Sequence, residues 1–215
     1  MEFLDPKLDE YIISKTEKEP DLLYDLNRDT HLHVLNPRML SGHLQGRVLS
    51  MLSHMIKPKN ILEIGTYTGY SALCLAEGIQ EGGRLITIDC NEELESRINS
   101  FFEKSDYNSV IEFKIGNALD IIPELDMTFD LVFIDADKEN YLNYYKLIID
   151  KLPIGAYVIA DNVLWSGKVL ENPDHMDLDT KSLVEYADFV NNDERVQNVL
   201  FPIRDGLMIC RKIKH

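Results

Sequence analysis

The chain is 215 residues long, 45% hydrophobic and 27% charged, with a formal net charge of −15. That length suits one α/β domain with a large core and is short for two independent ones, and the composition is that of a folded globular protein. The negative charge repels polyanions, which disfavours an extended phosphate-backbone interface and makes a small molecule the expected partner.

The N-terminal MEFLDPKLDE has neither the basic flank nor the apolar centre of a signal peptide, and no run of about 18 apolar residues follows anywhere. No membrane association and a cytoplasmic location are therefore expected. From residue 2 to about 57, apolar side chains recur at three- and four-residue spacing, which predicts three helical pieces. They are LDPKLDEYIISKTEK, EPDLLYDLNRDTHLH opened by Pro20, and SGHLQGRVLSMLSHMIK, with NPRML (36–40) as the joint before the third.

After Pro58 strands alternate with helices, the signature of a doubly wound sheet. Strands are predicted at NILEIG, RLITID, IEFKIG, LVFIDA and AYVIADN, with a helix after each of the first four. Their apolar runs are continuous rather than alternating, as in parallel strands buried on both faces. A loop rich in Gly, Pro, Asn and Asp is expected over 163–179, then a helix in TKSLVEYADFVNND and two last strands joined by the hairpin turn PIRDG. The prediction is a single α/β domain over 1–215: a helical cap segment (1–57) and a Rossmann-like core (58–215) with a mostly parallel, seven-stranded sheet ending in an antiparallel hairpin. The three cysteines, Cys74, Cys90 and Cys210, are odd in number and widely spaced, so they read as buried small hydrophobes rather than a disulfide or zinc framework.

NILEIGTYTGYS raises the question of a ligand. A dinucleotide loop needs a middle glycine for close approach of the diphosphate, and here Gly65 and Gly69 flank Thr66, Tyr67 and Thr68. A nicotinamide-dependent oxidoreductase is thus a poor reading. Glu63 near the carboxyl end of the first strand and Asp89 at the end of the second still suit a ribose, so the expected cofactor is an adenosine compound without phosphates. The pattern E-x-G-x-x-x-G-Y-S with an acid on the second strand resembles the cofactor site of S-adenosylmethionine-dependent methyltransferases.

The fourth and fifth strands end in carboxylates at the same sheet edge, Asp135 in FIDADK and the Asp161–Asn162 pair in ADN. Two carboxylates and an amide form an all-oxygen set suited to Mg²⁺, with Ca²⁺ or Mn²⁺ as alternatives, and leave about three of six positions for substrate and water. Asp137 reads as a helix cap. Lys138, expected in the first turn of the following helix, is unfavourably placed for the helix dipole, which points to a role beyond solvation. Near a divalent cation and partly desolvated, its amine would titrate low enough to take a proton from a hydroxyl.

FIDADKENYLNYY, ADNVLWSGKV, LEIGTYTGYSALCLA and PIRDGLMICRK together resemble the cation-dependent O-methyltransferases of the caffeoyl-CoA and catechol O-methyltransferase group, over about the last four fifths of the chain. The resemblance implies that Asp135, Asp161 and Asn162 hold a divalent metal and that Lys138 is the catalytic base. It also implies that Glu63, Gly65, Ser71, Asp89 and Asp135 contact S-adenosylmethionine, with Asp89 on the ribose. Met39 and Ser41 match positions that cover the cofactor, and Ala118 one beside the adenine, although Asn117 stands where relatives often carry Asp. The implied reaction is direct methyl transfer to a hydroxyl of a small aromatic acceptor with vicinal oxygens. Some relatives instead methylate 5-hydroxyuridine in tRNA, an alternative that the net charge disfavours. A homodimer is expected, with substrate choice in the N-terminal helices and the 163–179 loop, where Trp165 is a candidate to stack on the acceptor. A cofactor-binding module without catalysis is a further alternative, against which the retained Lys138 speaks.

Overall fold

Seven short strands run through the chain: β1 (Asn60–Ile64), β2 (Arg84–Asp89), β3 (Ile111–Ile115), β4 (Leu131–Ile134), β5 (Tyr157–Ala160), β6 (Val196–Phe201) and β7 (Leu207–Lys212). In the computed structural model, which describes residues 5–215, they form one sheet in the order β3-β2-β1-β4-β5-β7-β6. The first five pair in parallel, and β7 runs antiparallel to both β5 and β6. Eight helices accompany them among the described residues: α1 (Pro6–Lys15), α2 (Asp21–His33), α3 (Gly42–Ile56), α4 (Tyr70–Ala76), α5 (Glu95–Lys104), α6 (Ala118–Glu124), α7 (Tyr141–Ile149) and α8 (Leu178–Asn192).

The continuous apolar runs have the cause expected of them. Alternate residues of the central strands feed two cores, one on each face of the sheet. Leu62, Ile64, Ile86, Val132, Ile134 and Val158 pack under α6, α7 and α8, whereas Ile61, Leu85, Leu131, Phe133 and Ile159 pack under α2 to α5. The strand order reverses between β1 and β4, and in open α/β sheets the crevice at that point, beyond the carboxyl ends of the strands, is where ligands bind.

The three N-terminal pieces are α1, α2 and α3; the part of the first that was placed at residues 2–4 lies outside the described residues. Pro20 opens α2 as expected, and NPRML is a 3₁₀ turn (Pro37–Met39) after Asn36, whose φ is 58°. Two expectations are corrected. The 163–179 segment is not all loop: Trp165–Leu170 is 3₁₀, interrupted by left-handed Ser166 and Gly167. Helix α8 begins at Leu178, two residues early, because the Asp177 carboxylate accepts the Thr180 N–H at 2.8 Å and caps it. Cys74 and Cys210 are buried, but Cys90, expected inside, is exposed just beyond β2. No helix among the described residues is long and apolar enough to cross a membrane.

Candidate active site

Strand β1 ends against the turn that leaves β4, and this approach explains Gly65. Its φ is +100°, and a Cβ there would overlap the carbonyl oxygen of Asp135. The two turns are tied to the sheet in the same way, with the Gly65 N–H on Ile88 O at 2.9 Å and the Asp135 N–H on Ile64 O at 2.8 Å. Tyr67, standing where a diphosphate loop has glycine, itself adopts φ 51°. Its N–H donates to Asp89 Oδ2 at 2.7 Å, and its hydroxyl donates to the carbonyls of Leu35 and Asn36 at 3.1 and 3.2 Å. The tyrosine thus ties the N-terminal helical segment over the glycine turn.

The Asp89 carboxylate also accepts the Asn91 N–H at 2.9 Å, yet each of its oxygens has a second acceptor position free for a hydroxyl. Glu63 is fully buried, with Oε2 accepting from Thr87 Oγ1 at 2.5 Å and Oε1 without a donor among the described residues. Burial pushes its pKa up to about 8; the Ser71 and Thr87 hydroxyls pull it partly back, and Asp135 and Asp89 push it further up. An orphaned buried acceptor beside a backbone cradle that only glycine leaves open suits a ligand with donors of its own, such as an amino acid joined to a nucleoside.

Ala118 is buried in the first turn of α6, where Asn117 caps the helix by accepting the Leu119 N–H at 2.9 Å. Met39 and Ser41 flank the start of α3: Met39 is 61% exposed in the 3₁₀ turn, and Ser41 is buried.

At the next two strand ends, Ile134 lies in register with Ala160, so Asp135 and Asp161 leave the sheet at the same level. Asn162 follows with φ 59°. Lys138 does not lie in α7, as expected, but opens the 3₁₀ turn Lys138–Asn140 before it. The residue is 8% exposed, and its ammonium donates to Asp135 Oδ1 at 3.1 Å, Asn162 Oδ1 at 2.9 Å and the Tyr141 hydroxyl at 2.6 Å. Three acceptors match the three N–H bonds of an ammonium, which explains why a lysine is tolerated at this buried helix start. The Tyr141 hydroxyl in turn donates a hydrogen bond to Asp161 O at 3.1 Å.

Asp161 is only 3% exposed, with Oδ1 accepting the Asn162 N–H at 2.7 Å and Oδ2 accepting from Gln45 Nε2 at 2.5 Å. Burial, then the like charge of Asp135, raises its pKa above the usual carboxylate range, while Gln45 and Lys138 oppose the rise. Asp135, Lys138, Asp161 and Asn162 are therefore brought together. Asp135 and Asn162 already converge on one positive charge, and their hard oxygens beside a buried carboxylate suit a small divalent cation. Among the described residues no cluster of three or more His, Cys, Asp or Glu side chains could hold a metal, so an amide has to complete any such set.

Asp137 is corrected in its role. It sits at the N-cap position, but its carboxylate accepts from the Tyr144 hydroxyl and Asn140 Nδ2, both at 2.5 Å, instead of from a backbone N–H. Trp165 packs its ring on the core beneath α7 and α8, with the Lys138 Nζ 5.7 Å from the ring centroid. Sequence reasoning missed Tyr141, Gln45 and Arg204. The one signal for Gln45 is a long polar side chain on the inner, apolar side of α3.

The O-methyltransferase family profile matches residues 13–213. Caffeoyl-CoA O-methyltransferase 5 of Nicotiana tabacum is 36% identical over 209 residues, covering 91% of this chain and 86% of its own. Among solved structures, the chain is similar to the O-methyltransferase TomG of Streptomyces achromogenes in complex with S-adenosylmethionine, at 28% identity and TM-score 0.87 over 96% of each chain. It is also similar to an O-methyltransferase of Bacillus cereus in complex with S-adenosylhomocysteine, at 26% identity and TM-score 0.86 over 96% of this chain and 97% of that one. The profile, the relatives and the solved structures agree with the motifs: the chain belongs to the O-methyltransferase family and is an S-adenosylmethionine-dependent enzyme.

Proposed function

We propose that the enzyme, with a divalent cation, methylates one hydroxyl of a small aromatic molecule that carries two adjacent oxygens. The observation that carries this reading is the meeting of Asp135, Asp161 and Asn162 with the Lys138 ammonium at the ends of β4 and β5, next to the glycine turn of β1. The relatives named for caffeoyl-CoA favour an aromatic acceptor of this kind.

In this reading Gly65 admits the cofactor to the backbone and Asp89 accepts its ribose hydroxyls. Glu63, Ser71, Met39, Ser41 and Ala118 line the remainder, and Asp135 lies against both cofactor and cation. Asp135, Asp161 and Asn162 hold the cation, Mg²⁺ before Ca²⁺ or Mn²⁺, which when bound supplies positive charge that makes a neighbouring hydroxyl more acidic. Lys138 takes up the hydroxyl proton at Nζ. It is fully hydrogen-bonded as an ammonium, so it must give up its contacts to Asp135 and Asn162 and arrive neutral before it can do so. Orientation supplies much of the rest, since both partners are held at adjoining strand ends.

The test is transfer of a labelled methyl group from S-adenosylmethionine, with Mg²⁺, to a catechol panel and separately to unmodified and hydroxylated tRNA. Methylated catechols without labelled tRNA support the proposal. Labelled hydroxylated tRNA without any methylated catechol would overturn it in favour of RNA modification, which the charge of −15 disfavours.

A further inference from the structure

A chain of polar contacts runs from Arg204, exposed in the β6–β7 turn, through buried Gln45 to buried Asp161, and the reaction as proposed gives it no part. Gln45, 1% exposed in α3, donates Nε2 to Asp161 Oδ2 at 2.5 Å. The opposite amide orientation would set Oε1 against a carboxylate oxygen, so only this one is stable. Arg204 supports it: Nη1 reaches Gln45 Oε1 at 3.5 Å, a long contact, while donating to Leu40 O at 3.1 Å and to Ser41 O.

Arg204 itself is left-handed, with φ 49°. On its other side the same turn grips the chain that follows Asn162. Asp205 O accepts the Leu164 N–H at 2.8 Å, Asp205 Oδ1 accepts the Ser166 N–H at 2.5 Å, and Gly206 O accepts the Val163 N–H at 3.2 Å. One hairpin turn thus fixes both the start of α3 and the segment leaving the Asp161–Asn162 pair.

We propose that Gln45 is a positioning residue for Asp161 and that Arg204 orients Gln45. Without the amide, Oδ2 of Asp161 has no donor among the described residues, and the carboxylate is held against Asp135 and Asn162 by the Asn162 N–H on Oδ1 alone. The inference rests on the cation reading above, and the effect of Gln45 belongs to cation binding more than to cofactor binding, because the hydrogen bond it donates goes to Asp161; Arg204 also holds the Ser41 carbonyl, which adjoins the cofactor residues.

The test is Mn²⁺ binding measured by electron paramagnetic resonance on the purified chain, with S-adenosylhomocysteine binding followed by calorimetry on the same samples. Gln45→Leu removes the donor, and Gln45→Glu places a like charge against Asp161. Both are expected to weaken Mn²⁺ roughly 10–100-fold, the usual effect of losing a partner that orients a ligand, with S-adenosylhomocysteine binding little changed. Arg204→Ala, at the surface, shifts Mn²⁺ affinity in the same direction by a smaller factor, and Arg204→Lys recovers part of it. Wild-type Mn²⁺ affinity in Gln45→Leu, with cofactor-product binding intact, overturns the proposal. So does loss of both ligands together, which marks Gln45 as structural only. If Gln45→Leu does not fold, unchanged Mn²⁺ binding in Arg204→Ala overturns it. A wild type that binds S-adenosylhomocysteine but no Mn²⁺ removes the cation reading itself, and the relay with it.

Discussion

Lys138 and Glu63 are both buried ionisable groups at the site, and they are held in opposite ways. Lys138 Nζ has three oxygen partners, on Asp135, Tyr141 and Asn162. Replacing it with Ala is expected to lower kcat by about 10²–10⁴, the range for a lost general base, while S-adenosylmethionine binding by calorimetry stays near wild type. Unchanged turnover of every acceptor would remove Lys138 from the chemistry. Glu63 has one good hydrogen bond, so burial raises it from the ordinary 4.5 to about 8. Its folded value lies above its unfolded one, so its contribution to stability is complete below pH 4.5 and is lost as the pH rises towards 8. Glu63→Gln cannot ionise, and the melting temperature of the variant relative to wild type should rise across that window in the absence of cofactor. A constant difference would show that Glu63 is already ionised when buried. Asp135, Lys138, Asp161 and Asn162 were legible in the sequence because each stands at or just past a strand end, where topology alone predicts their meeting. Gln45 and Arg204 lie 116 and 43 residues from Asp161, and nothing local in either segment announces the contact.

Between elements, what counts is how closely two turns can lie. Gly65→Ala would force a Cβ into the Asp135 carbonyl and strain a φ of +100° at the same time. The expected result is a loss of about 3–5 kcal/mol in denaturant unfolding, or no folded protein. A loss below about 1 kcal/mol would mean that the two turns separate easily, and the site with them. Tyr67→Phe removes a hydroxyl shared between the carbonyls of Leu35 and Asn36 and should cost about 1 kcal/mol while weakening cofactor binding by loosening the N-terminal segment. Unaltered cofactor affinity would show that this segment does not cover the cofactor. The sequence located the strands, whose apolar runs have one interpretation once they alternate with helices. It did not locate the 3₁₀ segment at 165–170, where Trp165 and Ser166 are left-handed without being glycine, nor the start of α8, since several Asp residues between 174 and 179 compete as caps and only the folded chain selects Asp177.

For the whole molecule, the strand order and its reversal between β1 and β4 decide where chemistry occurs, because ligands of open α/β sheets bind in the crevice at that point. The N-terminal helices are less self-sufficient. Helix α1 has no buried residue, and Leu8, Tyr11, Tyr24, Leu32 and Leu35 are exposed along α1, α2 and the joint after them. We propose that these faces meet in a homodimer; light scattering after size exclusion should give twice the chain mass of 24.8 kDa, and a monomer at micromolar concentration would contradict it. The central claim concerns the methyl group. Incubating the purified enzyme with labelled S-adenosylmethionine and a catechol should give labelled product that vanishes with a chelator, returns with added Mg²⁺, and does not form from a phenol without a neighbouring hydroxyl. Full transfer in the presence of chelator, or equal transfer to the lone phenol, would contradict a cation held by Asp135, Asp161 and Asn162.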